Sequence, residues 1–239
     1  MPRRIKETKG GGPISATASK ATQTESNKIV GVVPKLTSYD IFGRCIKRAQ
    51  NLIDFHEKAD PEKEEQYCDA YRAAIVLSIS ALDAFIRTIV TEKINEKLLN
   101  KTESLSQKLT DYIKELLNQD KLLDAARKYN LQEVVDQRIK EDFGTRAFQG
   151  DWKIRSFMEM IGYKDIFQEV SASADINKEN LIKNLEIYTQ RRHVIAHSGD
   201  YDLNSTSQNE NKIDKKFAQE CVDLVKKFAE HINKICYKR

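Results

Sequence analysis

An all-α helical bundle is the fold this chain predicts, on three observations. Apolar residues recur at spacings of three and four along nearly every segment beyond residue 36. Gly and Pro are scarce, at 9 and 4 in 239 residues, too few for a turn-rich β-fold. Alternating strand patterns are absent apart from a short candidate at Ile29 to Val33. With 40% hydrophobic residues the chain can bury a substantial core. One domain of five to seven helices is expected over 37–239, with a long central apolar helix packed on a helix that carries the chemistry.

The charge is unevenly spread. Residues 1–36 hold seven of the 40 Lys and Arg against two of the 36 Asp and Glu, so the formal +4 of the whole chain leaves the other 203 residues with 33 basic against 34 acidic groups. Gly, Ser, Thr and Lys dominate that leader, including Gly10-Gly11-Gly12-Pro13. It reads as a flexible basic tail, solvated or weakly attracted to nucleic acid. The near-neutral body must engage any polyanion through local clusters. Cys45, Cys68, Cys221 and Cys236 form no Cys-x-x-Cys pair, and no apolar leader follows Met1. A cytoplasmic protein with reduced thiols is expected. The apolar run Ala73 to Ile86 is too short to span a bilayer, so no membrane is expected as a partner.

In chain order, Ile41, Cys45, Ile46, Ala49, Leu52 and Ile53 mark a first helix from Ser38 to about Lys58. Asp60-Pro61 separates it from the longest element, about Pro61 to Asn100. The middle of that helix is apolar almost all round, which places it at the centre, covered on most sides. Asp83 lies within it, either paired with an arginine from another helix or orienting a catalytic side chain. Shorter helices follow at about 102–119 and 120–143, an irregular connector at Arg146 to Gln149, and helices at about 151–161 and 164–173. Trp152 is expected in the core, with base stacking as the lesser alternative. Asn177 is a natural N-cap for the next helix, and a last amphipathic helix covers Ile213 to about Ile235, after a polar loop. His56 and His231 stand alone on helix faces and read as packed or solvated.

The helix after Asn177 is the informative one. Leu181, Leu185, Tyr188, Arg192 and Ile195 form one stripe, with a guanidinium on a face that otherwise packs. An arginine there is costly unless an anion meets it. His193 and His197 share a neighbouring face, and Gly199 is a natural stop. Together they give Gln190-Arg191-Arg192-His193-Val194-Ile195-Ala196-His197-Ser198-Gly199-Asp200. RNA can be cut without a metal when a base takes the 2′-OH proton, an acid protonates the leaving 5′-oxygen and a cation steadies the phosphate. Histidine suits either proton transfer, and arginine the phosphate. Five residues along an ideal helix span about 140°, so Arg192 and His197 converge only if the helix end bends or a partner contributes. His193-x3-His197 also has zinc-ligand spacing, but no Glu follows the first His, and a third ligand would have to be Asp200, Asp202 or a distant Cys.

RRHVIAHSGD resembles the signature of the HEPN superfamily, and its doubled arginine and Ser-Gly-Asp ending resemble the RiboL-PSP-HEPN subgroup. Phe148-Gln149 and Ile161-Gly162-Tyr163 are similar to segments that precede the motif in that subgroup. The resemblance implies a metal-independent endoribonuclease with no cofactor, acting as a homodimer that joins two motifs in one cleft. It implies phosphate binding by Arg192, proton transfer by His197, and positioning of the 2′-OH or phosphate by His193, where the family more often has Asn or Asp. It further implies that Arg191 contacts the RNA backbone and that Asp200 orients a motif side chain. A role as toxin or anti-phage effector follows, with RNA, tRNA among the candidates, as substrate and an antitoxin or regulator as partner. The alternative it leaves open is a non-catalytic module that binds RNA or nucleotides, or dimerises to regulate another protein.

Overall fold

Thr37 and Asp40 set the start of the first helix. The Thr37 N–H and hydroxyl donate to the Asp40 carboxylate, and the Asp40 N–H returns a bond to the Thr37 hydroxyl, a reciprocal cap. In the computed structural model, residues 36–55, 64–100, 102–117, 123–124, 127–128, 131–202 and 209–237 are described. Helix α1 is Ser38–Phe55, α2 Glu64–Leu99, α3 Gln107–Leu116, α4 Leu131–Thr145, α5 Asp151–Met160, α6 Ile166–Ala174, α7 Lys178–Ser198 and α8 Lys215–Cys236. The expected tail, the strand at Ile29 to Val33, His56 and the Asp60-Pro61 break lie outside the described residues.

Eight helices are therefore described where five to seven were expected, and no strand appears among the described residues. Short helices gain independence from their own caps. Ser106 accepts from the Leu109 N–H to start α3, and Asp165 accepts from the Gln168 N–H to start α6. The cap at Ser106 is also why α3 begins later than the apolar pattern from Thr102 suggests.

Helix α2 is the axis of the bundle, with α1, α4, α5, α7 and α8 packed on it. Ile75, Ile79, Leu82, Ile86, Ile89 and Ile94 are fully buried, and each such side chain contributes roughly 1.5–3 kcal/mol relative to exposure. The described helix Tyr67–Leu99 is in fact long and apolar enough to cross a membrane, at 33 residues and a mean hydropathy of 1.9 for its best window. The Ala73 to Ile86 run is too short only because it omits the apolar turns on either side. More than half of that window is buried within the bundle, as befits a central helix. Coverage is nonetheless incomplete. Ala73 and Val76 are half-buried, while Leu77 and Ala84 are exposed.

Three aromatic rings knit α4, the connector and α5 together. Phe143 meets Phe148 edge-on with centroids 4.8 Å apart, and Phe148 stacks on Phe157 at 4.2 Å. Trp152 does not join them. It is 66% exposed, against the expectation that it packs in the core. Ile154 and Met158 occupy the buried face of α5, and Trp152, in the first turn, falls on the other side of the helix.

Candidate active site

Helix α7 opens on Asn177, whose side chain accepts from the Asn180 N–H. Leu181, Leu185 and Tyr188 are its buried stripe, and Arg192 continues that stripe toward the C-terminal end. Gly199 closes the helix at φ 61 and donates its N–H to the Val194 carbonyl. A Cβ at Gly199 would meet nothing nearer than the Tyr201 ring at 3.8 Å. The left-handed backbone, not space, is what calls for glycine here. Asp200 follows with φ 71, and two successive left-handed residues turn the chain back under the end of the helix.

That turn buries the Asp200 side chain completely. Its Oδ2 accepts from Arg72 Nε at 2.8 Å and from Arg191 Nη2 at 2.7 Å. The Asn211 amide donates to the Asp200 carbonyl at 2.8 Å, and the Asn211 N–H to the same oxygen at 2.9 Å. Arg72 also reaches Asp69 and Glu210, both at 3.1 Å. Burial opposes charge on Arg72, but the Asp200 hydrogen bond, the charge of Glu210, the Asp69 hydrogen bond and the charge of Asp200 together outweigh it, and its pKa is raised. One buried carboxylate thus ties α2, α7 and the segment before α8.

Adjacent arginines of the motif have different surroundings. Arg191 directs Nη2 to Asp200 and to the carbonyls of Asn211 and Lys212, at 3.1 and 3.0 Å. Where RNA backbone was expected to be its partner, the guanidinium lies in a protein clamp, because the left-handed turn carries Asp200 back to it. Arg192 has no ion-pair partner among the described residues; its Nε is buried without a hydrogen bond, as is that of Arg191, so the missing counter-ion is what sets Arg192 apart. Thr189 Oγ1, one turn earlier, is likewise buried and unpartnered. His193 and His197 are both exposed, with ring centroids 4.3 Å apart. Since α7 runs unbroken to Ser198, Arg192 and His197 remain about 140° apart around the helix. The helix end does not bend to bring them together.

Asp83 stands apart from this group. Its carboxylate pairs with Arg87 on the same helix at 2.7 Å and accepts the Phe148 N–H. It anchors the Arg146 to Gln149 connector rather than orienting Arg192 or a histidine, and its arginine comes from one turn along α2 rather than from another helix. Arg72 was not singled out in the sequence. Its only signal there was a cation at the edge of the apolar stretch of α2, and its partner is 128 positions away. No group of three or more His, Cys, Asp and Glu is placed to hold a metal ion among the described residues; Asp200, a candidate third ligand, is taken up by the two arginines.

The family model for RiboL-PSP-HEPN matches residues 44–238, from within α1 to beyond the end of α8. The chain belongs to the RiboL-PSP-HEPN family. No curated protein and no solved structure matches it. Membership supports a nuclease- or RNA-related role for this RiboL-PSP-HEPN domain. The Arg72–Asp200–Arg191 clamp anchors the end of its motif helix and leaves Arg192, His193 and His197 as the groups with unspent chemistry.

Proposed function

We propose that this RiboL-PSP-HEPN domain is a metal-independent endoribonuclease that works as a homodimer. The observation that carries the reading is the half-buried Arg192, without an anionic partner, beside two exposed histidines in contact. A buried guanidinium donor with nothing to bond is costly, and a phosphate oxygen would meet it. In the reaction a histidine takes the proton of the ribose 2′-OH. The 2′-oxygen bonds to phosphorus, the P–O5′ bond breaks, and the leaving 5′-oxygen is protonated, giving a 2′,3′-cyclic phosphate. Arg192 neutralises the charge that grows on the phosphate oxygens. His197 and His193 are the proton-transfer candidates.

Dimerisation is supported by two features. Arg192 and His197 diverge within one chain, so a second copy can supply the missing partner to each. An apolar groove of about 480 Å³ beside the motif, lined in part by Ala73, Val76, Leu77 and Ile195, offers the surface for it. A toxin or anti-phage role, with an antitoxin as partner, belongs to the same proposal and would appear as growth arrest on induction that His197→Ala relieves. The direct test is RNA cleavage in excess EDTA, with product ends analysed. His197→Ala and Arg192→Ala are each expected to slow cleavage by about 100-fold or more while leaving the fold intact. Wild-type rates in both variants would overturn the assignment.

A further inference from the structure

Trp152 borders a second cleft, of about 610 Å³, between α3, the Arg146 to Gln149 connector and α5. Tyr112 and Phe157 contribute apolar surface, and Glu115, Arg146 and Lys153 are polar members of the lining. Three of these side chains have binding capacity that the protein does not use. The Trp152 indole is two-thirds exposed. Lys153 Nζ lies over one face of the indole, 5.6 Å from its centroid, and has no ion-pair partner among the described residues. Glu115 is exposed and likewise has no hydrogen-bond or ion-pair partner among them. Arg146 is different. Its Nε is held by Asp142 at 2.6 Å, with the guanidinium carbon 5.8 Å from the Tyr112 centroid.

We propose that this cleft binds one unpaired nucleobase of an RNA strand, together with its phosphate, as a docking site separate from the motif of α7. Trp152 provides the stacking surface, Lys153 meets the phosphate, and the free Glu115 carboxylate accepts N–H groups from the edge of the base. Guanine suits that carboxylate best, because its N1–H and N2–H₂ groups offer two parallel donors to two oxygens. A flat apolar face flanked by one free cation and one free anion complements a mononucleotide, which presents a ring, an anion and a set of donors. It does not complement a long polyanion, consistent with the near-neutral body. That an RNA strand is the ligand rests on the ribonuclease reading; binding of the nucleotide itself does not.

Trp152 is the only tryptophan in the chain, so its fluorescence reports on this cleft alone. The test titrates the full-length protein with GMP, AMP, CMP and ribose 5-phosphate, exciting at the red edge of the indole band, with N-acetyltryptophanamide as the collisional control. Saturable quenching by GMP at lower concentration than by AMP or CMP, and none by ribose 5-phosphate, is the expected result. Lys153→Ala should weaken the response to every nucleotide, and Glu115→Gln should remove the preference for GMP. Trp152→Ala should weaken binding of a short G-containing single strand about tenfold, measured by anisotropy of a labelled strand. The His197→Ala protein should titrate like wild type, which keeps this result independent of whether RNA is cut. A linear response matching the collisional control, or saturable quenching unchanged in Lys153→Ala and Glu115→Gln, would overturn the proposal.

Discussion

Replacing Asp200 with Asn tests the clamp at the end of the motif helix. Asn keeps the size of the side chain and tolerates a left-handed backbone, so the observed φ of 71° is retained and the change is almost purely one of charge. Two arginines then lose their shared buried counter-ion. Their side chains are 9% and 18% exposed, whereas the remaining acidic partners of Arg72, Asp69 and Glu210, are 80% and 45% exposed and therefore screened by solvent. Removing one partner of a buried ion pair costs about 3–5 kcal/mol. The surviving carbonyl contacts to Asn211 and Lys212 place this case near about 3 kcal/mol. For a domain of this size that lowers Tm by about 6–12 °C, read by circular dichroism at fixed pH and salt. The double variant with Arg191→Met should lose less than the two single losses together, with a coupling of about 1–3 kcal/mol. A Tm within about 2 °C of wild type, or strictly additive losses, would refute the claim that Asp200 is the counter-ion holding this turn.

The open strip on α2 makes a second prediction. Leu77→Glu places a charge where the proposed second copy packs, so the protein should elute as a folded monomer in size-exclusion chromatography with light scattering and lose RNA cleavage; a persistent dimer would remove α2 from the interface. A third concerns acid stability. The Asp165 carboxyl is held below the usual range chiefly by the Lys178 hydrogen bond, aided by the Gln168 N–H and the charge of Arg155, against a smaller effect of burial. A depressed folded-state pKa means that the unfolded chain takes up the proton first, so this contribution is present above about pH 4 and lost as pH falls through the folded value. Asp165→Asn should flatten the dependence of Tm on pH between about pH 5 and 3, and parallel profiles for the two proteins would refute it.

Residue spacing was a good guide wherever one helix face meets the core. Leu181, Leu185 and Tyr188 are buried as their spacing requires, Asn177 caps α7, and Gly199 ends it. These are local effects, decided within a few residues by hydrogen bonding and by which side of a helix is apolar. Spacing was a poorer guide to single large side chains. Trp152 is apolar enough for the core, yet the register of α5 is set by Ile154 and Met158, and a lone residue cannot turn a helix against two. Asp83 was legible as a buried carboxylate in search of an arginine, but not as the partner of Arg87 on its own helix and of the connector at Phe148.

By itself the sequence determined an all-α chain, the position of its central helix and the motif Arg192, His193 and His197, since each depends on periodicity or on a short run of residues. Only the tertiary structure decided how the two arginines of that motif differ. Arg191 and Arg192 are neighbours with the same chemistry. A left-handed turn at Gly199 and Asp200 returns a carboxylate to one of them, and α2 adds Arg72 from 128 positions away. Which charges meet in a folded chain depends on distances that the bundle creates. In the interior the energy of such a meeting is several times its value in water, so the pairing that folding imposes decides which cation is held by a counter-ion and which is not.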